Sequence, residues 1–480
     1  MFVALQISDL HRSNADPVGN AELLAALESD RVRWPAQVAH GPDVIVVSGD
    51  VVQGVGLEVS DYEAQLDRQY GDALAFLASL ADRFLGSDRS RLILVPGNHD
   101  IDWCTARAAM EVVEGDELER IADDLPSKVL DPASPYRWSW RDRKLYKVVD
   151  PASYEARCLR FLDFRRDFYD GVVPNPLRLG PDLVFVEYPG LDVSITGLSS
   201  WFGNDCYCHV GAFDPEMLAA ARDAIAGSPC GLHLAVWHHS TAGPPADTDF
   251  LDIRHVHRLM DYGFRVGLHG HHHRTDAAVM TLKLPTQEEF VLVSAGSLAA
   301  GRRELPPGVN RQYSLLEIRP ASRQLRVHVR EAISDLIFAA SARTELGGHD
   351  HVDLTWSPTP PSPARTAAIT AAIDDAYRAF AEHDLPRALG LLSTVPAQGG
   401  PARKLRIEVL SGLEDWEEVN KTIGEPTSQE ELMILVDALC RLGSQGEARE
   451  TVQRYAGAVR LGSDLKLELE ARISITESSL

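Results

Sequence analysis

The sequence predicts an α/β region followed by an all-α module, and three observations carry that division. From residue 2 to about residue 330, apolar runs of strand length alternate with helical patterns, and five of the runs break off into residues that can hold a metal ion. The stretch Ser357-Pro358-Thr359-Pro360-Pro361-Ser362-Pro363 is too rich in proline for regular helix and reads as a stiff, extended linker. Beyond it, helical patterns take over. The expected boundaries are residues 1–335 for the α/β domain, with an inserted cap at about 103–182, then 336–365 for the linker and 366–480 for a helical, repeat-like domain.

The first run, Phe2 to Ile7, reads as a strand, and Ser8-Asp9-Leu10-His11 follows where it must end. Asp9 and His11 stand two apart, so an extended backbone puts both side chains on one side, able to grip one ion. Asn14 to Ala39 carries a helical pattern, with Leu23, Leu24, Leu27 and Val32 apolar. Asp43 to Val47 is a buried strand ending in Ser48-Gly49-Asp50, where Gly49 permits a tight turn that leaves the Asp50 carboxylate at the strand tip. Asp61 to Phe84 is again helical. Arg91 to Asp100, R-L-I-L-V-P-G-N-H-D, is a buried strand that breaks at Pro96-Gly97 and delivers three polar residues into a loop. Asn98 can offer a neutral oxygen to a metal, His99 can carry a proton, and Asp100 can orient the His99 ring through its second nitrogen.

After Asp100 the alternation lapses for about eighty residues, the length of an inserted cap rather than of a connection. Within it, Tyr136 to Lys147 interleaves Arg137, Arg141, Arg143 and Lys144 with Trp138, Trp140 and Tyr146. Such a segment can stack on bases and neutralise phosphates; alternatively its tryptophans pack on the core while its charges face water. Strand patterns resume at Leu183 to Tyr188 and Val193 to Leu198. Cys206-Tyr207-Cys208-His209 lacks a common zinc spacing and reads as a loop near the site. Leu232 to Trp237 ends in His238-His239-Ser240, and Phe264 to Leu268 ends in His269-Gly270-His271-His272-His273. Phe290 to Val293, Tyr313 to Ile318 and Leu325 to Val329 read as strands of a closing sheet. In the helical region, placing Ala388, Val419 and Ala448 in register gives a period of about thirty residues, near that of paired-helix repeats. That module either recruits a protein partner or packs on the α/β domain.

Composition narrows the function classes. A formal charge of −23 argues against wrapping long duplex DNA over a general basic surface. The six cysteines form no C-x-x-C pair, so neither a zinc ribbon nor a disulfide framework is indicated. Met1 leads straight into a strand without the features of a secretion signal, and no run of about 18 apolar residues occurs, so the expectation is a cytoplasmic protein with no membrane segment.

Asp9, His11, Asp50, Asn98, His238, His271 and His273 are too many ligands for one ion, and suit two divalent ions about 3.5–4 Å apart that share one carboxylate. Asp50 is the natural bridge, being a short carboxylate on a glycine turn. Two carboxylates against two dications leave excess positive charge even after a hydroxide bridges the ions, which favours an anionic substrate and phosphate ester hydrolysis.

Taken in order, D-x-H, G-D, G-N-H-D, H and G-H-x-H resemble the calcineurin-like metallophosphoesterase superfamily over roughly residues 1 to 330. The resemblance implies a four-layer α-β-β-α sandwich with both metals at the ends of its central strands. It implies one metal held by Asp9, His11, Asp50 and His273, and the other by Asp50, Asn98, His238 and His271. His99, paired with Asp100, resembles the family's catalytic histidine, which steadies the phosphate or protonates the leaving oxygen. The family pattern selects His238 over His239, although Ser240 stands where proline is usual. The glycine of the last block leaves His269 on the strand and His272 pointing away. Gln53 stands where purple acid phosphatases place a tyrosine ligand, which argues against a ferric centre. The nitrogen-rich set without thiolate suits manganese first, with ferrous iron, zinc or nickel as alternatives, better than calcium.

The expected activity is hydrolysis of phosphodiester bonds in nucleotides or nucleic acid, nuclease action included, by a metal-bridging hydroxide. Arg137 to Lys147 and Arg302-Arg303 support it. The alternatives are a phosphomonoesterase, which the acidic charge suits, and an interaction protein that recruits a partner through its C-terminal helices. The oligomeric state is left open.

Overall fold

A computed structural model describes residues 1–13, 18–172, 178–243, 249–281, 288–301, 304–334, 336–341, 349–358, 363–393, 395, 400–459 and 461–477. The chain divides into two compact units, Met1–Ser362 and Pro363–Leu480. In chain order the strands of the first unit begin with β1 (Phe2–Ile7), β2 (Val44–Ser48), β3 (Leu92–Val95), β4 (Met110–Val112), β5 (Tyr136–Ser139), β6 (Lys144–Val148) and β7 (Arg178–Leu179). They continue with β8 (Leu183–Tyr188), β9 (Val193–Leu198), β10 (Leu232–Val236), β11 (Val266–His269) and β12 (Asp276–Thr281). The last are β13 (Glu289–Ser294), β14 (Gln312–Arg319), β15 (Gln324–Ser334), β16 (Ile337–Ala340) and β17 (His351–Thr355).

Two seven-stranded sheets make the body of this unit. The first has the order β16-β15-β14-β1-β2-β3, with β17 also paired to β15, and the second has the order β12-β13-β11-β10-β9-β8-β7. β1, β2 and β3 run parallel, as do β9, β10, β11 and β13, so the tips that carry the candidate ligands gather at the carboxyl ends of each sheet. The alternation of side chains sorts the layers. Val184, Val186, Ile195, Leu234, Val236 and Leu268 of the second sheet join one core with the first sheet. Their neighbours Phe185, Leu198, Ala235, Trp237 and Phe290 face a second core with the helices Pro215–Ala226 and Ile253–Tyr262. β1 and β2 are buried on both faces, and the helices Asn20–Arg31 and Tyr62–Leu85 supply Leu23, Leu27, Phe76 and Leu80 to the core of the first sheet. The result is helix, sheet, sheet, helix.

The inserted region forms short helices and a small sheet of order β4-β6-β5. Here the basic aromatic segment is a hairpin, β5 and β6, and three of its five cations are paired among the described residues. Arg137 is 2% exposed, donating to Asp205 at 2.5 Å and to the Gly203 carbonyl at 3.0 Å. Lys147 pairs with Glu117 at 2.7 Å and Arg141 with Glu58 at 3.1 Å. Only part of a stacking platform survives, chiefly Trp140, 84% exposed and edge-on to Trp138. Arg302 and Arg303 lie outside the described residues.

The expected linker at 336–365 is shorter in the structure, because β16 and β17 fall inside it and pair with β15. Both are short edge strands, paired on one side, so their sequences lack the strong apolar runs of the central strands. Residues 359–362 of the proline-rich stretch lie outside the described residues.

The second unit contains the helices Pro363–Ala381, Leu385–Leu392, Gly400–Gly412, Trp416–Ile423, Gln429–Arg441, Gln445–Tyr455 and Ser463–Glu477. Ala388, Val419 and Ala448 are each fully buried, at the fourth position of the second helix in successive pairs. One device joins the helices of each pair. His383, Glu414 and Gly443 take left-handed backbone, and the next residue, Asp384, Asp415 or Ser444, donates its N–H five residues back. That is the Schellman closure, and the same three residues stand at the N-cap of the following helix.

Candidate metal centre

The site is assembled from backbone turns before any side chain is considered. Asp9, His11, Asp50, His271 and His273 all have positive φ, between 43° and 81°, a conformation that residues other than glycine avoid. Each turn is held by a neighbouring one: Asp9 N–H donates to the Gly49 carbonyl at 3.1 Å, His11 N–H to the Asp50 carbonyl at 3.0 Å, and Gly270 N–H to the His238 carbonyl at 3.0 Å. The loops approach so closely that a Cβ at Gly97 would collide with the Asp50 carboxylate, and one at Gly270 with Ser8 Oγ and Asp9 Oδ2. Glycine is required at both by contact.

The side chains then converge. Donor atoms of Asp9, His11, Asp50 and His273 lie within 4.8 Å of one another. His11 Nε2 sits 2.9 Å from His273 Nε2, and His273 Nε2 is 3.4 Å from Asp9 Oδ1. A second group adjoins it: His238 Nε2 is 3.0 Å from Asn98 Oδ1, 3.2 Å from Asp50 Oδ2 and 3.2 Å from His271 Nδ1. Asp50 Oδ2 lies between the groups, 3.6 Å from His11 Nε2. The seven residues expected from the sequence therefore lie near one another at the strand tips, Asp9, His11, Asp50 and His273 as one cluster and Asn98, Asp50 and His271 each in contact with His238 Nε2.

Backbone carbonyls fix the tautomers. His238 Nδ1 donates to the Ser48 carbonyl at 2.9 Å and His273 Nδ1 to the Glu304 carbonyl at 2.8 Å, which turns a lone pair of each neutral ring toward the centre. Lone pairs of different histidines facing each other near 3 Å repel unless a proton or cation lies between them. Two nitrogens each about 2.1 Å from one ion and at right angles are about 3.0 Å apart, so the spacing suits a shared cation. The donors present fit a divalent transition ion on this ground. Electrostatics point the same way. Burial opposes charge on His238 and His273, but Asp50 and Asp9 overcome it and raise both rings to about 9. Burial likewise opposes charge on Asp9, yet His273 brings it down to about 2, and Asp50 is held well below the ordinary carboxylate range by His238 and His99. Burial drives His11 down to about 3.

One expected pairing is corrected. The ring of His99 is oriented by the Gln53 carbonyl, 2.8 Å from its Nδ1, and not by Asp100. The Asp100 carboxylate turns back into the loop, accepting from Gly97 N–H at 2.8 Å and from Val51 and Val52 N–H at 3.1 Å each. Burial and the nearby Asp50 charge raise it to about 7. Asp100 thereby satisfies three buried donors and locks the β2 and β3 tips together, which leaves it no orientation toward the His99 ring.

The spare histidines have other neighbours. His269 ends β11 and stacks on Trp237, while His239 is buried with Nδ1 2.8 Å from Ser200 Oγ. Asp205, in the loop before Cys206 and Cys208, is the partner of Arg137. Asp249 was not singled out by the sequence; its Oδ2 lies 3.1 Å from His271 Nε2. It sits in a loop with no strand to announce it, and the carbonyls of Ser48, Gln53 and Glu304 have no side-chain signature at all.

A family model described as calcineurin-like phosphoesterase matches residues 2–275. No curated protein matches the chain. Among solved structures it is similar to TT1561 of Thermus thermophilus, with 10% identity over 68% of this chain and 97% of that one and a TM-score of 0.31. It is also similar to the calcineurin-like phosphoesterase YfkN from Bacillus subtilis, with 11% identity, 77% and 96% coverage and a TM-score of 0.28. A third is Vps29 of Chaetomium thermophilum, with 11% identity, 74% and 100% coverage and a TM-score of 0.24.

Proposed function

The chain belongs to the calcineurin-like phosphoesterase family and is a hydrolase of phosphate esters, and on that premise we propose that it cleaves phosphodiester bonds at a centre of two divalent ions, manganese first. The observation that carries the proposal is the pair of adjoining donor groups that meet at Asp50 Oδ2. Asp9, His11, Asp50 and His273 would hold one ion, and Asp50, Asn98, His238 and His271 the other. Bound there, the ions would supply positive charge to the phosphate and acidify a water.

The chain's own residues do the rest. Fixed carbonyl contacts keep the rings of His238 and His273 from rotating. His99 has its Nδ1–H committed to Gln53, so it can give a proton to a leaving oxygen only as the imidazolium, from Nε2. Asp50 Oδ1 accepts the His99 backbone N–H at 3.0 Å, which ties the proton donor to the same carboxylate that joins the two groups.

A diester is favoured over a monoester because every ion pair of Asp9 and Asp50 among the described residues is with a histidine. Among the described residues, no arginine or lysine joins these pairs to reward the second negative charge of a monoester. The engaged cations of the hairpin and the charge of −23 favour nucleotides or short strands over long nucleic acid. We further infer that residues 363–480 form a paired-helix repeat that recruits a protein partner, which the recurring turn and buried position support. The unpaired state of all six cysteines suits a cytoplasmic setting, and no helix among the described residues is long and apolar enough to cross a membrane.

The test is a comparison of kcat/KM for the manganese-loaded chain on bis-p-nitrophenyl phosphate, p-nitrophenyl phosphate and a short single-stranded DNA. A higher value on the diester is expected. A clear preference for the monoester would make the chain a phosphomonoesterase.

A further inference from the structure

A second cluster of metal-type donors lies on the first sheet, away from the strand tips that build the candidate centre. β17 pairs antiparallel with β15 and sets His351 directly opposite His328. Directly opposed residues carry their side chains on one face, and the two rings stand 5.5 Å apart between centroids. Asp350 precedes His351, accepting from His351 Nδ1 at 2.8 Å through Oδ1 and from Gln37 Nε2 at 2.8 Å through Oδ2. One donor atom each from His328, Asp350 and His351 lies within 4.8 Å of the other two.

His328 supplies the decisive observation. The residue is 3% exposed, yet neither of its ring nitrogens has a hydrogen-bond partner among the described residues. Whichever nitrogen carries the proton, a neutral buried imidazole leaves one donor and one acceptor unmet, which folded proteins avoid. An electrophile at one nitrogen would satisfy that lone pair. His349 stands two residues before His351, with its ring 6.1 Å from that of His351, and adds an imidazole on the more open side. We propose that His328, Asp350 and His351 form a separate metal site that takes a divalent ion of the zinc class and ties the last strand of the first unit to β15. Imidazoles with one carboxylate and no thiolate suit zinc, nickel or cobalt, and are too rich in nitrogen for calcium or magnesium.

The experiment is zinc loading of the metal-stripped full-length chain, read by bound equivalents after desalting and by the zinc-induced rise in Tm. His351→Ala and Asp350→Asn should each bind one equivalent fewer than the unmodified chain, lose part of the rise in Tm and hydrolyse bis-p-nitrophenyl phosphate at the unmodified rate. Because His351→Ala also removes the hydrogen bond to Asp350, each variant's rise in Tm is taken from its own metal-free value. An unchanged zinc count in His351→Ala overturns the proposal, as does a zinc-induced rise in Tm equal to that of the unmodified chain. An Asp50→Asn arm keeps this site distinct from the candidate catalytic centre. An equivalent that survives Asp50→Asn and disappears in Asp50→Asn/His351→Ala belongs to the β15–β17 site, and equal zinc counts in the two variants overturn it.

Discussion

The proton on His99 Nδ1 is committed to a main-chain carbonyl that no side-chain replacement removes. His99→Ala should therefore leave metal content intact and lower kcat by about 10²–10⁴-fold, the range of a positioned proton donor. An unchanged rate on a substrate with a poor leaving group would take His99 out of that role. Asp100→Asn separates the corrected role from the expected one. If Asp100 mainly caps the β2 and β3 tips, its replacement lowers Tm and metal occupancy more than the rate per bound metal. The titrating residues also set the sign of the pH dependence. His238 and His273 are raised to about 9 in the metal-free fold, so their contribution to stability is complete below their unfolded value near 6.5 and is lost as pH rises through 9. His11 and His269, lowered to about 3 and about 4, behave oppositely, because the unfolded chain takes up their protons below 6.5. The metal-free chain should thus be most stable near pH 6.5. Metal binding displaces protons from His238 and His273 and should strengthen from pH 6.5 to 9. Calorimetric melts of both forms across that range check this, and a metal-free Tm that rises toward pH 9 would contradict it.

At the scale of elements, the strand tips were legible because each apolar run ends abruptly in ligand-type residues, as at Ile7, Val47 and Val95. The left-handed backbone of Asp9, Asp50 and His271 was not, since aspartate and histidine adopt it only where the surrounding loops enforce it. Gly97 is one enforcing contact. Gly97→Ala should destabilise the fold by about 1–3 kcal/mol, the cost of overpacking, and reduce metal occupancy by displacing Asp50. Full occupancy with an unchanged Tm would show that the loop yields more easily than the contact implies. The edge strands β16 and β17 escaped the sequence because strands paired on one side need not bury both faces, while His351 to Thr355 merges by composition into the proline-rich stretch. Helix pairing was visible in the spacing of Ala388, Val419 and Ala448, but the turn that produces it was hidden. His383 and Glu414 take the left-handed place that Gly443 fills conventionally.

At the scale of the molecule, the extent of the first unit decides what can be removed. A chain ending at Ser362 keeps β17 and the Ser357 hydroxyl that accepts the Glu289 N–H at 2.9 Å, and should fold and hydrolyse a small diester at nearly the full rate. A chain ending at residue 335 loses β16 and β17 and exposes the edge of β15, so it should be less soluble and melt lower. Equal behaviour of the two fragments would show that the edge strands are dispensable. Within that unit, everything proposed about catalysis depends on one carboxylate serving two ions. The direct measurement is the number of metal equivalents bound by the full-length chain and by Asp50→Asn, taken with the rate of diester hydrolysis in each. The dinuclear arrangement predicts a loss of activity together with most of the metal held at the strand tips; Asp50→Asn with its full complement of metal, whatever its rate, would contradict it.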